Sequence, residues 1–437
     1  MRQMLYRLVM LLMAALLVVS CGGQQTGGTE PGAAPAPTTP AEAPAPTTDT
    51  AAEPTTDTAA EPTTDTAAEP TAEGGLAATS GPAEEGQTEG QTGAISLENP
   101  PPVPNAEAAR QYSGATIIYY GDSVGLGAEI DQILAQRFTE DTGINVNVIA
   151  KPQDATENYA VYQRFFQAQS QDVDVMMLDV IWPAAFAPHL ADLSQALATE
   201  AQGHYESIIE NNTVNGQLVA MPWFADFGML YYRTDLLEKY GFSAPPTTWD
   251  ELEQMAQTIQ DGEQASNPNF AGFVWQGAAY EGLTCNALEW LASAGGNIIE
   301  NGQVTVNSPE AVEMLTRAQG WIGTISPQGV TSYREEDARN IFQGGNAAFM
   351  RNWPYVYAAA SQEDSPIAGN FDVAPLPMAG EEGQHVGTVG GWQLGVSRYS
   401  QNQEAAIEFV RYMTSPEVQT YRAVVGSYIP TIPSVAE

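Results

Sequence analysis

The sequence predicts an α/β fold made of two lobes, each with its own sheet and its own helices. Strand and helix signals alternate along the chain from residue 115 onward, which is typical of a parallel sheet covered by helices. The segment VDVMML at 173–178 is nearly all apolar, as expected of a strand that is buried on both faces. The same alternation returns in the later half of the chain, which favours two lobes over one long sheet.

The first half supplies four predicted elements before that apolar strand. Apolar residues at helical spacing, ended by Gly143, indicate a helix after the first strand and its Gly-rich turn at 121–127. The predicted elements are a strand at 115–120 (ATIIYY), a helix through Ile130, Ile133, Leu134 and Phe138, a strand at 145–149, and a helix at 156–170.

The later half contains clear helix starts. Thr248 followed by Glu251 is a capping box, and Ser308 followed by Pro309 places proline at the first helical position. The remaining predicted elements are strands at 371–376 and 388–397, a helix at 402–414, and a further helix that starts at Ser415 and Pro416.

The N-terminus has the pattern of a secreted lipoprotein. Arg2 and Arg7 precede an apolar run at 8–19, which is too short to span a bilayer but suits a signal peptide. Val18-Val19-Ser20-Cys21 resembles the lipobox of bacterial lipoproteins. We therefore expect a signal peptide at 1–20 and a lipid on Cys21; the alternative is an ordinary signal peptide with a chance cysteine.

Residues 21–110 are predicted to be the lipidated cysteine and a disordered linker. The segment is rich in Pro, Thr, Ala and Glu, and the unit TTDTAAEP starts at Thr47, Thr55 and Thr63. Such a segment has too few apolar residues to form a core, so we expect an extended tether.

Composition excludes several classes of function. With 53 acidic and 15 basic residues, the net charge of −38 argues against nucleic acid as a partner. A pocket for phosphate or sulfate would need positive charge, and the chain has two lysines, Lys151 and Lys239. Besides Cys21 there is only Cys285, which lies in a helical pattern and is expected to be a buried, inert thiol.

No motif for catalysis, metal or cofactor stands out. The three histidines form no HExxH pattern, and no nucleophile elbow or phosphate-binding loop is present. We therefore expect no metal and no cofactor. Paired carboxylates could serve a glycosidase, but acids are common throughout this chain, so that signal is weak.

Four short segments combine carboxylates with aromatic rings where loops begin or end. They are LDVIW at 178–182, MPWFAD at 221–226, RNWPY at 351–355 and GGWQ at 390–393. A sugar site needs acceptors for hydroxyl groups and flat rings against its CH faces. Taken alone, each tryptophan could be core packing, each aspartate a helix cap, and Glu129 a favourable charge at a helix start.

Longer stretches resemble one family. The chain from residue 115 onward resembles the trehalose/maltose-binding branch of the family-one extracellular solute-binding proteins of ABC importers. The stretches that carry the resemblance are MLYYRTDLL at 229–237, NPNFAGFVWQG at 267–277, YEGL at 280–283, FQGGNAAFMRNWP at 342–354, EDSP at 363–366, VAPLP at 373–377 and GGWQLGVSRYS at 390–400.

The resemblance implies a type II periplasmic-binding-protein fold with a hinge between the lobes. The first lobe would comprise 111–222 and 376–412, and the second 223–375 and 413–437. The implied sugar-binding residues are Glu129, Asp179, Phe224, Asp226, Trp353, Gly391 and Trp392. Phe224 stands where relatives often have tyrosine, so one hydroxyl contact is expected to be lost.

Two features depart from the family. Relatives carry a basic residue near Thr156, and this chain has none there. Relatives also continue beyond the position of Glu437, with a segment that contributes an arginine to the sugar, so the resemblance implies a truncated second lobe.

The sequence therefore predicts a monomeric binding lipoprotein without enzymatic activity, lipid-anchored on the extracytoplasmic (periplasmic or outer) face of the cell membrane. Its expected partners are a disaccharide (trehalose, maltose or a related α-glucoside) and the permease and ATPase subunits of an ABC transporter. Two alternatives stay open: a binding lipoprotein for another solute class such as a polyamine, and a secreted glycosidase.

Overall fold

The computed structural model describes residues 95–380 and 382–436. The predicted signal peptide, the predicted lipid on Cys21 and the linker up to residue 94 lie outside the described residues. The prediction of a disordered linker is wrong for residues 95–110, because Ala106–Ala109 form a helix and Val103 and Ala109 are buried in the core. Within the described ranges, none of the helices combines the length and apolar character that a membrane crossing requires.

The first sheet has five strands in the order β2-β1-β3-β13-β6. Its strands are β1 (Thr116–Gly121), β2 (Asn145–Ala150), β3 (Val175–Asp179), β6 (Met221–Phe227) and β13 (Val389–Val396). The pairs β1–β2 and β1–β3 are parallel, whereas β13 is antiparallel to both β3 and β6. Every residue of β3 is buried, which explains its continuous apolar sequence.

The second sheet has four strands in the order β12-β7-β11-β8. These are β7 (Met229–Arg233), β8 (Ala271–Val274), β11 (Ala347–Asn352) and β12 (Phe371–Ala374). The pair β8–β11 is parallel and the other pairs are antiparallel. Two short hairpins pair β4 (Thr213–Val214) with β5 (Gln217–Leu218) and β9 (Ile299–Glu300) with β10 (Gln303–Val304).

Helices separate the strands in both halves of the chain. They are α1 (Ala106–Ala109), α2 (Gly127–Thr142), α3 (Ala155–Gln167), α4 (Pro183–Phe186), α5 (Ala198–Ala201), α6 (Glu206–Asn212), α7 (Thr234–Lys239), α8 (Trp249–Glu263), α9 (Glu281–Ser293), α10 (Pro309–Trp321), α11 (Glu335–Gln343), α12 (Tyr355–Ala360), α13 (Gln403–Met413), α14 (Pro416–Gly426) and α15 (Pro433–Ala436). The elements predicted from the sequence are confirmed, with small shifts at their ends.

Local hydrogen bonds explain where these helices begin. The capping box of α8 is present, because the Thr248 hydroxyl accepts from the Glu251 N–H while the Glu251 carboxylate accepts from the Thr248 N–H. Ser308 and Ser415 cap α10 and α14 in the same sense, each followed by proline. Cys285 is buried and unbridged in α9, as the helical pattern predicted.

The two lobe ranges predicted from the resemblance stay predictions. After β13 the chain packs mainly near the first sheet: the Ala225 N–H of β6 donates to the Ile429 carbonyl at 3.0 Å, and the Tyr428 hydroxyl donates to Asp122 Oδ2 at 2.8 Å. Helix α14 also contacts α12, which follows β11 of the second sheet.

The chain crosses between the sheets at two adjacent points. Gly228 alone separates β6 from β7, and a Cβ there would lie 1.9 Å from Glu289 Oε1. The Gly228 N–H donates to the carbonyl of Thr388, which directly precedes β13, where the chain returns to the first sheet. The Thr388 N–H in turn donates to Glu289 Oε1 at 3.0 Å. Both crossings therefore lie against the Glu289 carboxylate.

Glu289 forms a buried ion pair with Arg351 of β11. Arg351 Nη2 donates to Glu289 Oε1 at 2.5 Å and Nε donates to Oε2 at 2.9 Å, and both side chains are 1% exposed. Arg351 Nη1 also donates to Gln276. Burial lowers the pKa of Arg351, but the Glu289 charge outweighs burial and raises it above its ordinary value. Arg351 is therefore a fully paired cation at the crossing.

Replacement of Glu289 by alanine is expected to destabilise the protein by about 3–5 kcal/mol, because it leaves the Arg351 guanidinium buried without its counter-charge. The change also removes the acceptor of the Thr388 N–H. Equilibrium denaturation measures the loss of free energy of unfolding. Glu313→Ala, at an exposed position of α10, is the matched control. Equal midpoints for the two variants would refute this role of the ion pair.

Candidate functional site

Five of the predicted site residues lie on three neighbouring strands of the first sheet. In the register, Trp392 of β13 stands between Asp179 of β3 and Phe224 of β6. One step along, Gly391 pairs with Ala225, and one step further Gly390 pairs with Asp226. Asp179, Phe224, Asp226, Gly391 and Trp392 are thus brought together by strand pairing alone.

Gly391 has a backbone conformation that only glycine adopts readily. Its φ is 128°, and a Cβ would lie 2.5 Å from the Phe224 carbonyl oxygen. Its own carbonyl accepts from the Val180 N–H at 2.9 Å. The glycine therefore permits β6 and β13 to approach closely beside Asp179.

Trp353 reaches the same place from the second sheet. It directly follows β11, and its ring lies 3.4 Å from the position of a Cβ on Gly390. The guanidinium of Arg351 lies 3.9 Å from the ring centroid, and the Tyr231 hydroxyl donates to the Trp353 carbonyl at 2.8 Å. The second sheet thus presents a fixed indole to β13 of the first.

Trp392 has two contacts that fix its ring. Its centroid lies 5.6 Å from that of Trp182, with the planes at 85°. On it lies the buried ammonium of Lys151, 4.1 Å from the ring centroid. Burial lowers the pKa of Lys151, opposed by the charges of Asp122 and Glu335. The indole itself stays partly exposed.

Asp179 and Asp226 are buried acids with few local hydrogen bonds. Asp179 is 9% exposed, and its Oδ1 accepts from the Ile181 N–H at 3.1 Å. Burial raises its pKa to about 6. Asp226 is 7% exposed, and its Oδ1 has no hydrogen-bond partner among the described residues. Burial and the charge of Asp122 raise the pKa of Asp226 well above its ordinary value.

Two further acids belong to this group, and the sequence reasoning did not select them. Glu281 begins α9, and burial followed by the charge of Asp179 raises its pKa to about 8. Glu335 begins α11, and its Oε1 lies 3.5 Å from Nε1 of Trp353. A signal was available for Glu281, since it lies in the YEGL stretch that carried the resemblance.

Glu129 lies apart from this group. It is exposed in the first turn of α2. Its charge, after burial, contributes to raising the pKa of Tyr421. The Tyr421 hydroxyl donates to the Leu97 carbonyl. The neighbouring Asp131 points inward instead, where it accepts from the Tyr119 hydroxyl at 2.9 Å. Phe224 is buried, with its ring 4.6 Å from that of Tyr428.

The two lobes also touch outside this group. Arg334, just before α11, forms an ion pair of 2.8 Å with Asp154, the N-cap of α3. The ring of Tyr355 lies against Gly125 of the first Gly-rich turn. These contacts join α11 and α12, which flank β11 of the second sheet, to α3 and the Gly-rich turn, which flank strands of the first sheet.

This group can bind a polar molecule through hydrogen bonds to its acids and contact with its rings. It offers carboxylate acceptors, one ammonium and two indole faces, drawn from both sheets. Among the described residues, no group of three or more His, Cys, Asp or Glu side chains is arranged to hold a metal ion.

The chain resembles known proteins over most of its described part. The family model for bacterial extracellular solute-binding proteins matches residues 120–420. A probable ABC transporter-binding protein of Deinococcus radiodurans is 52% identical over 328 residues, which cover 74% of this chain and 78% of the relative.

Solved structures of solute-binding proteins also resemble this chain. The maltose-bound MalE3 of T. maritima matches with a TM-score of 0.71 at 43% identity, over 74% of this chain and 83% of that chain. The GacH receptor of Streptomyces glaucescens, solved unliganded and with acarbose, matches with a TM-score of 0.64 at 26% identity, over 74% and 81% of the two chains. These matches confirm the two-lobed α/β fold predicted from the sequence. The chain therefore belongs to the bacterial extracellular solute-binding proteins, a family of binding proteins and not of enzymes.

Proposed function

We propose that the protein captures an α-linked disaccharide, such as maltose or trehalose, outside the cytoplasm and delivers it to the permease of an ABC importer. The observation that carries this proposal is the convergence of Asp179, Asp226 and Trp392 with Trp353 from the other sheet. Buried carboxylates accept hydroxyl hydrogen bonds, and indole faces cover the CH faces of a pyranose ring. MalE3 with maltose and the GacH receptor with acarbose support a saccharide.

Ligand capture would proceed by closure of the two lobes. A sugar that touches both lobes stabilises the closed form, and only the difference in its contacts between the open and closed forms shifts the population. Hinge closure of this kind is an established mode of domain movement. The crossings at Gly228 and Thr388 are the proposed hinge, and the closed form is the one that would dock on the permease.

Titration with a panel of solutes tests the function. Maltose and trehalose are expected to bind and to decrease the radius of gyration measured by small-angle scattering. Spermidine is the probe for the alternative polyamine ligand. Asp226→Ala should weaken sugar binding by about 1–3 kcal/mol, since it leaves a ligand hydroxyl without its acceptor. Isothermal titration calorimetry measures the affinity.

Asp372→Asn, at an exposed position of β12, is the control that should bind the sugar as tightly as the unchanged protein. Binding of spermidine but no saccharide would replace the sugar proposal with the polyamine one. Release of free glucose from the disaccharide would replace it with a glycosidase. Unchanged affinity in Asp226→Ala would remove that residue from the site.

The acids of the site predict a pH dependence of stability. The pKa of Glu281 rises from an ordinary 4.5 to about 8, through burial and then the charge of Asp179. A carboxyl with a raised folded-state pKa contributes stability below its unfolded pKa and loses it as pH rises through the folded one. Glu281→Gln should therefore gain stability relative to the unchanged protein as pH rises from about 5 to 8.

Denaturation curves across that pH range measure the difference in free energy of unfolding between Glu281→Gln and the unchanged protein. Comparison with the unchanged protein cancels, to first order, the titration of acids that do not interact with Glu281. The exposed Glu404→Gln is the control, and its difference should stay constant. A constant difference for Glu281→Gln as well would contradict the assignment of this carboxyl.

We also propose that a lipid on Cys21 anchors the protein to the extracytoplasmic (periplasmic or outer) face of the membrane, with 22–94 as its tether. Residues 95–110 are left out of the tether because Leu97, Val103 and Ala109 pack on the hydrophobic core. Each buried methylene contributes about 0.8 kcal/mol, so two or more acyl chains suffice for stable anchoring. Cys21→Ser should lose incorporation of radiolabelled palmitate and leave the membrane fraction, while Cys285→Ser keeps both. Retention of label in Cys21→Ser would exclude this anchor.

A further inference from the structure

Arg422 of α14 is a buried cation enclosed by aromatic rings. Its guanidinium carbon lies 3.7 Å from the ring centroid of Trp223, 3.9 Å from that of Tyr428 and 4.7 Å from that of Phe224. The residue is 1% exposed. Rings in this position stabilise the positive charge through their faces, but they do not accept the five N–H groups that lie in the guanidinium plane.

Those N–H groups have no acceptor within the described residues. Nε, Nη1 and Nη2 of Arg422 all lack a hydrogen-bond partner there. The nearest carboxylate oxygen is Oδ2 of Asp122, at 3.9 Å from Nη2, and it already accepts from the Tyr428 hydroxyl at 2.8 Å. Unpaired buried donors are costly, and most of all on a charged group.

The other buried arginine shows what a structural arginine looks like in this protein. Arg351 has contacts of 2.5 and 2.9 Å to Glu289 and a further one to Gln276. Arg422 has the same burial and none of these contacts. A purely structural counter-charge for Asp122 would be expected to lie within hydrogen-bond distance, as Arg351 does.

Arg422 is next to the site described above. Its guanidinium touches the ring of Phe224, which precedes Asp226 by two residues on β6. Burial raises the pKa of Asp226, and the positive charge of Arg422 opposes that rise. In the register of β6 with β13, Phe224 pairs with Trp392 and Pro222 with Gln393, so Trp223 is an inserted, bulged residue. The bulge lets the consecutive rings of Trp223 and Phe224 both contact the guanidinium.

We propose that Arg422 is a ligand-contacting residue that donates to an oxygen of the same sugar hydroxyl whose proton is accepted by Asp226. This inference rests on the proposed function. Oδ1 of Asp226 is an unpartnered acceptor and the Arg422 N–H groups are unpartnered donors, and one hydroxyl can satisfy both because it donates and accepts at once. Asp122, Asp131 and Asp226 surround the cation with negative charge, which favours a neutral hydroxyl over an anionic ligand group.

The test combines Arg422 variants with sugars that lack single hydroxyls. Affinities of maltose and of the monodeoxy-maltoses are measured for the unchanged protein, Arg422→Met, Arg422→Lys and Arg398→Met, the last being the control at an exposed arginine of the first lobe. One deoxy position should weaken binding to the unchanged protein by about 10- to 150-fold, the range for hydrogen bonds to charged groups. In Arg422→Met that deoxy sugar should lose less relative to maltose than it does with the unchanged protein, because only the contact with Asp226 is left to lose.

A structural role gives a different result. If Arg422→Met and Arg422→Lys weaken maltose and every deoxy analogue by one common factor, the contact is overturned while the sugar function stands. If the unchanged protein binds no saccharide, both the proposed function and this inference fail.

A measurement on the unchanged chain keeps the inference testable where a variant does not fold. In protein labelled with ¹⁵N-arginine, the Nε–H resonance of Arg422, assigned through its own side-chain and backbone correlations, should shift on saturation with maltose. The same resonance unmoved by bound maltose would overturn the contact. The Nε–H of Arg398 serves as the internal control.

Discussion

The ion pair between Glu289 and Arg351 constrains the geometry of everything around the cleft. It lies where the chain leaves the first sheet at Gly228 and returns to it at Thr388, and both segments bond or pack against the Glu289 carboxylate. The same guanidinium lies on the ring of Trp353. Charges this deeply buried tolerate little displacement, because separation leaves each without its partner in a medium of low polarity. A crossing anchored in this way can serve as a pivot while each lobe keeps its own packing.

The site has a different electrostatic character from that crossing. Asp179 and Asp226 are buried acids and Glu281 is a partly buried one. No ion pair of these three acids occurs among the described residues, and burial raises the pKa of each. Such an arrangement opposes stability in the absence of a ligand, since the ionised forms are poorly solvated. Hydroxyl donors from a bound sugar would offset this cost. The paired ions of the crossing thus hold the two lobes together, and the unpaired acids of the cleft would bind the ligand.

Much of this fold was predictable because its signals are local. The apolar run that became β3, the capping box of α8 and the serine–proline starts of α10 and α14 depend on residues within a few positions of one another. The segment of β6 was singled out for its aspartate and aromatic residues but not as a strand, since its burial comes from β13, some 170 residues later in the chain. Glu281 and Glu335 were missed for a related reason: proximity to Asp179 is created by the packing of the lobes. Glu129 was selected by resemblance just after a Gly-rich turn, where a shift of two residues in the alignment exchanges it for the inward-facing Asp131.

The unpartnered groups of the cleft bear on how a ligand selects the closed state. Side chains such as Asp226 and Arg422 cannot satisfy one another directly, because their charges are held apart by the rings and strands that fix them. In the open form, water would reach groups near the cleft, so closure without a ligand removes hydrogen bonds and returns none. A sugar that bridges an acceptor and a donor restores them in the closed form only. The ligand therefore supplies the free energy that favours the closed form over the open form. This is the condition under which the fraction of closed molecules rises when ligand is present.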